Sequence, residues 1–163
     1  AGLAGGSDVI LIPEIPFNIE SVVDKVRERE ASGSTFSIIV VAEGAAPVGG
    51  DVMYTSEGRL GGVGHYVGSR LQHLTDKETR VVVLGHLQRG GSPSPYDRLL
   101  STRYGAAAVS AAANGIFGEM VALRGQEIVT VPLTEACGHL KTVRPHSDLV
   151  IAARSLGVSF GDD

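Results

Sequence analysis

The amino-acid sequence predicts an α/β protein in three layers, a mainly parallel sheet with helices on both faces. Three observations predict it. Unbroken runs of aliphatic and β-branched residues recur at 8–12, 36–42 and 79–84, and continuous apolarity, rather than alternation, marks a strand buried on both faces. Stretches with apolar residues at a period near 3.6 separate these runs. The resulting order is strand, helix, strand, helix, strand, which calls for right-handed crossovers that cover a parallel sheet on both sides.

Each element has a local reason. The first strand, 8–12, follows Gly5 and Gly6 and is closed by Pro13, which has no N–H to donate to a ladder. Residues 19–31 set Ile19, Val22, Val23 and Val26 on one helical face and charges on the other, with Asn18 as the N-cap. The second strand, 36–42, ends in a carboxylate, Glu43, and a Gly- and Pro-rich loop at 44–56 follows. A helix through VGHYVGSRLQHL leads to the third strand, TRVVVL, at 79–84. After a loop at 85–93, Ser94, Pro95 and Asp97 take the N-cap, N1 and N3 places of a capping box. That helix runs to the stop at Asn114 and Gly115. MVALR and EIVTVPL, joined through Gly125 and Gln126, pair as a hairpin near the C-terminus, and a last helix covers about 147–156. The architecture is Rossmann-like. No internal repeat, low-complexity tract or interdomain linker interrupts residues 1–163, so the chain reads as one domain, or one half of a larger one.

Composition narrows the function classes. With 43% hydrophobic and 20% charged residues, the chain has enough apolar material for a core. Lys and Arg total 14 against 18 Asp and Glu, a net charge of -4 without a long run of either sign. Bulk binding to nucleic acid or to an anionic membrane is not expected. Cys137 is the single cysteine, which rules out an intrachain disulfide and points to a reducing, cytoplasmic location. No apolar run approaches the ~18 residues of a membrane span. The opening AGLAGGSDVILIP has no initiator Met, basic n-region or signal-type apolar core. It reads as the middle of a longer chain, so a fragment is expected.

In parallel sheets ligands sit at the carboxyl ends of strands, where Glu43 and His86 stand. Gly90 and Gly91, just before a helix N-terminus, allow backbone N–H groups to approach an anion. Arg89 and His86 flank that place. A guanidinium binds phosphate oxygens in pairs and an imidazole adds a compact donor; Glu43 suits hydroxyls instead. Together they describe a sugar-phosphate site. Each group also has a plainer reading, with the glycines serving a turn, Arg89 the surface and His86 a loop cap. GRLGGVG lacks the GxGxxG spacing of a dinucleotide fingerprint. His65, His73, His139 and His146 do not form a metal-site spacing with Cys137, so no metal site is expected. No GxSxG elbow occurs.

The segment TRVVVLGHLQRGGSPSPYDR resembles the signature of the phosphofructokinase family through Arg80, Gly85, His86, Gln88, Arg89, Gly90, Gly91, Asp97 and Arg98. GGSDVILIPE and IIVVAEGA resemble the strands that precede and line the family's sugar-phosphate half. The resemblance runs from Ala1 to about Lys141 and is weaker over 142–163. It implies transfer of a phosphoryl group to the 1-hydroxyl of fructose 6-phosphate, a glycolytic step, by a homo-oligomer whose sites are shared between subunits. The donor would be ATP or pyrophosphate with Mg2+, and 44–77 resembles the group that contains both kinds. By this resemblance Glu43 binds sugar hydroxyls, His86 and Arg89 hold the phosphorylated substrate, and Arg80 reaches the 6-phosphate in a neighbouring subunit's site. Asp97 and Arg98 are explained by helix N-terminal charge and an ion pair. Asp8 matches an acidic position associated with effector-bound metal, although a turn residue is equally expected there. Ser32, Gly33, Ser34 and Thr35 replace the family's effector-site lysines. The family's Gly-rich donor loop, catalytic Asp and Met-Gly-Arg segment do not occur in the sequence. The chain is therefore expected to be the sugar-phosphate half, with no catalytic residue of its own and no activity in isolation. A non-catalytic sugar-phosphate-binding or assembly module is the alternative.

Overall fold

Val9–Leu11 (β1) lies parallel to Ile39–Val41 (β2), with Val9 opposite Ile39 and Leu11 opposite Val41. The computed structural model describes residues 1–163. The remaining elements are α1 (Ile19–Ala31), α2 (Val63–Thr75), α3 (Pro95–Ala113), β3 (Glu119–Arg124), β4 (Glu127–Pro132), α4 (Leu133–Cys137) and α5 (Asp148–Ser155). Two compact units form: Ala1–Val83 with Thr142–Asp163, and Leu84–Lys141.

In the first unit, successive side chains of β1 point to opposite sides and enter two cores. Val9 and Leu11 are buried with Phe17 and with Ile19, Val22 and Val23 of α1 and Val63, Val67 and Leu71 of α2. Ile10 and Ile12 pack on the other cluster, Ile15, Phe160 and Val150 and Ala153 of α5. Helices thus cover both faces of a parallel α/β sheet. Val9 also bridges in parallel to Ser159, so β1 has a neighbour on each side. The Asn18 side chain accepts the N–H of Glu20 at 3.1 Å and caps α1 as expected. Arg154 of α5 reaches Asp162 at 2.7 Å and lies over the Phe160 ring at 4.9 Å.

The third strand is a correction. Residues 79–84 carry no sheet pairing, and Val82 and Val83 are 74% and 61% exposed. A β-branched run favours extended backbone, but a strand exists only where a neighbour accepts its hydrogen bonds, and β2 pairs with β1 alone. Val81 turns onto α2 instead, close enough that a Cβ on Gly68 would stand 2.6 Å from its Cγ2. For the same reason the second expected strand, 36–42, shrinks to Ile39–Val41, and Phe36 is left exposed.

The second unit follows its local signals closely. Ser94 Oγ accepts the N–H of Asp97 at 3.2 Å, and Asp97 Oδ2 accepts the N–H of Ser94 at 2.8 Å, completing the capping box. The helix ends at Asn114, ahead of Gly115 with φ +73°. β3 and β4 pair antiparallel, with Arg124 opposite Glu127. Gly125 has φ +62° while Gln126 does not enter the positive region, the pattern of a type II′ turn. Short α4 has no sequence signal. α5 begins after Ser147, matching the expected last helix.

One pH effect follows. Hydrogen bonds from the Ser94 hydroxyl, and then from its N–H, hold the Asp97 carboxyl below its ordinary value. A depressed carboxylate stabilises the fold above its unfolded-state pKa, and that contribution is lost as pH falls through the folded-state value. Helix content followed by circular dichroism should therefore fall on acidification with an Asp97-dependent component. Asp97→Asn should flatten it; an unchanged acid profile in that variant would remove Asp97 from the explanation.

Candidate functional site

Glu43 stands just beyond β2, at the carboxyl end of the parallel pair. The N–H of Ala42 bonds to Leu11 O at 2.9 Å and that of Ala45 to Ala42 O at 2.9 Å, closing a turn around Glu43. Ala45 is buried and Glu43 is exposed. The next residues are tied to Phe17, whose N–H donates to Ala46 O at 3.1 Å and whose carbonyl accepts from Val48 N at 2.8 Å. The carboxylate is thus fixed at its base and free at its tip.

His86 and Arg89 lie on a 3₁₀ turn, Gly85–Arg89. Residues three apart eclipse on a 3₁₀ helix, so both project from one side of the turn. The turn is closed by Leu87 N to Leu84 O and Gly90 N to Leu87 O, each 3.0 Å. Gly85, at φ +49°, and Gly91, at φ +101°, bracket it in conformations that side chains with a Cβ rarely adopt. Both cationic-type side chains are exposed. The N-terminus of α3 contributes less to an anion than the sequence suggests, because the Asp97 carboxylate already occupies it and Ser94 N–H and Asp97 N–H are satisfied within the capping box.

Arg80 is exposed and pairs with Glu78 at 2.9 Å. A solvent-exposed pair of this kind is weak, so the guanidinium is readily released to another partner. The four expected substrate residues divide between the units: Glu43 and Arg80 belong to the first, His86 and Arg89 to the second.

Asp8 is largely buried and structural in its contacts. Its Oδ2 accepts the N–H of Ile38 at 2.8 Å and its Oδ1 faces Arg29 Nε at 3.0 Å, tying the approach to β2 onto β1 and α1. It lines an open pocket of about 240 Å³ with Ser7, Lys25, Glu28, Arg29 and Ser32. Lys25 pairs with Glu28 at 2.8 Å, so each cation of the pocket already faces a carboxylate. Helical periodicity assigns Lys25 and Arg29 to a solvated face; their i, i+4 spacing, which puts both on one side of α1, is the available signal for the pocket. No three His, Cys, Asp or Glu side chains come together where a metal ion would sit.

Fold and exposed groups together define an α/β protein that presents a carboxylate, an imidazole and guanidinium groups from the ends of its regular elements. The phosphofructokinase family model matches residues 1–112, and the chain belongs to the phosphofructokinase family. It is 77% identical over all 163 residues to an ATP-dependent 6-phosphofructokinase of Chloroflexus aurantiacus, covering 46% of that protein. It is 55% identical over 152 residues to a pyrophosphate–fructose 6-phosphate 1-phosphotransferase of Amycolatopsis methanolica, covering 89% of this chain and 44% of that one. Among solved structures, phosphofructokinase from Saccharomyces cerevisiae superposes with a TM-score of 0.63 at 29% identity, over 85% of this chain and 18% of that chain. The chain spans about half the length of the curated relatives it matches. No helix is long and apolar enough to cross a membrane.

Proposed function

We propose that this chain supplies the fructose 6-phosphate site of an ATP-dependent 6-phosphofructokinase, a cytoplasmic, glycolytic phosphotransferase that works as a homo-oligomer. The observation that carries the reading is the His86–Arg89 pair on one side of a 3₁₀ turn, beside Gly90 and Gly91, in a member of this family. Arg89 forms charge-assisted bonds to phosphate oxygens and His86 adds a donor beside it. Glu43, with an exposed carboxylate on a fixed turn, accepts hydrogen bonds from sugar hydroxyls. Arg80 leaves its weak pair with Glu78 to reach the 6-phosphate bound at a neighbouring subunit. The overall reaction breaks a phosphorus–oxygen bond of the donor and forms one to the sugar 1-hydroxyl, whose proton is released. In that step these residues bind and orient the acceptor. Pyrophosphate as donor is the second reading, favoured by the 55% identity to the Amycolatopsis methanolica enzyme.

Calorimetric titration with fructose 6-phosphate, with inorganic phosphate as control, tests the site. A charge-assisted hydrogen bond is worth ~1.5–3 kcal/mol, so Arg89→Ala should weaken binding roughly 10- to 100-fold. A variant that loses stability by that amount and keeps its affinity would overturn the assignment. Phosphoryl transfer needs donor, metal and acceptor held together. The 163-residue chain alone, given magnesium and either donor, is therefore expected to form no fructose 1,6-bisphosphate, and enzyme-dependent product would refute this.

A further inference from the structure

Residues 53–61, in the first unit, fold into a small antiparallel hairpin. It is built from its own backbone: Thr55 N–H donates to Arg59 O at 2.8 Å, Gly58 N–H to Thr55 O at 2.9 Å and Gly61 N–H to Met53 O at 3.1 Å. Little else holds it. Met53 packs on the core of the unit, while residues 54–60 are all exposed. Gly49, at φ +71°, and Gly62, at φ +95°, bracket the stretch with open space beside each, so an ordered hairpin sits on two free stems. It stands beside Glu43. A Cβ on Gly44 would lie 4.0 Å from Leu60 Cδ2, which sets Leu60 against the turn that carries the carboxylate. Tyr54 is bridged to Leu60 across the hairpin, and side chains directly opposite in an antiparallel pair share a face. Tyr54, 66% exposed, is therefore on the face that Leu60 turns to Gly44.

We propose that Tyr54 is a further substrate-contacting residue, which lays its ring over the sugar when the hairpin swings on its glycine stems; this role rests on Glu43 being the acceptor for the sugar hydroxyls. A tyrosine offers an apolar ring with a polar tip. The ring packs on the C–H face of a sugar whose hydroxyl edge Glu43 holds. Closing the hairpin also removes water from around the acceptor hydroxyl, which limits loss of the phosphoryl group to water. Inorganic phosphate has no C–H face and gives the hairpin nothing to close on.

Limited digestion with trypsin reads the hairpin directly, because trypsin cuts after Arg59, whose side chain is 82% exposed. Saturating fructose 6-phosphate should slow cleavage between Arg59 and Leu60 in the 163-residue chain roughly 10-fold, and inorganic phosphate should not. In calorimetry, Tyr54→Ala should weaken fructose 6-phosphate binding roughly 5- to 10-fold. Tyr54→Phe, which keeps the ring, should bind as the parent does, and so should Gln72→Ala, at an exposed position of α2. The free Tyr54→Ala chain should be cut at the parent's rate; faster cutting would assign the ring to the hairpin's own stability and overturn the proposal. Sugar binding that neither protects Arg59 nor depends on Tyr54 would overturn this role and leave Glu43 in place, whereas a folded chain that does not bind fructose 6-phosphate would overturn both. Protection that rises with chain concentration and not with the sugar would also overturn it, by placing the ring in a contact between copies.

Discussion

Phe17→Ala is expected to destabilise the first unit by about 3–5 kcal/mol, the cost of removing a buried aromatic ring and leaving its cavity. Phe17 is fully buried in the cluster shared by β1, α1 and α2. Its backbone also holds the segment after Glu43, through the bonds to Ala46 and Val48. Against a typical domain stability of about 5–15 kcal/mol the loss is large. Urea unfolding measures it, and hydrogen exchange at Val48 should accelerate in the folded variant because the ring no longer anchors that bond. A change below about 1 kcal/mol would mean that the ring does not organise this core. The consequence reaches the candidate site, since the Glu43 turn is fixed from below by this packing.

Gly161→Ala should cost roughly 2–5 kcal/mol, from two sources that act together. Gly161 has φ +75°, a conformation that costs a residue with a Cβ about 1–2 kcal/mol. That Cβ would also stand 2.8 Å from Phe17 Cβ and 3.0 Å from Leu11 Cδ2, and overpacking a core adds about 1–3 kcal/mol. Asn18 N–H donates to Gly161 O at 2.6 Å, so a shift there also presses on the start of α1. Gly33→Ala is the control: Gly33 has φ +92° with nothing within 4 Å of where a Cβ would stand, and it should show the backbone cost alone. Equal losses at the two sites by denaturant unfolding would rule out the steric part.

Legibility tracks how local each signal is. The Asn18 cap, the Ser94–Asp97 capping box, the Asn114 stop and the Gly125 turn are decided by hydrogen bonds that span a few residues, and all four form as expected. Residues 79–84 have an equally strong apolar signal that fails, because a strand depends on a neighbour that sequence proximity does not provide. Among the candidate site residues, the 3₁₀ turn that aligns His86 with Arg89 reads in sequence simply as a loop, since Gly85, Gly90 and Gly91 mark a change of direction without naming the helix type. The pairing of Arg29 with Asp8 is hidden for another reason: it joins α1 to β1 across the fold, and only the spacing of Arg29 from Lys25 hints at a shared side.

By itself, the sequence determined the α/β class, the parallel relation of β1 and β2, the hairpin and the family, since period, capping chemistry and a twenty-residue signature are written in neighbouring positions. Tertiary structure alone decided that the chain forms two units, and that Glu43 and Arg80 fall in one and His86 and Arg89 in the other. The physical reason is the same in each case. Hydrogen bonds within a turn or a helix close locally, whereas burial and strand pairing depend on which distant surfaces are present to meet them.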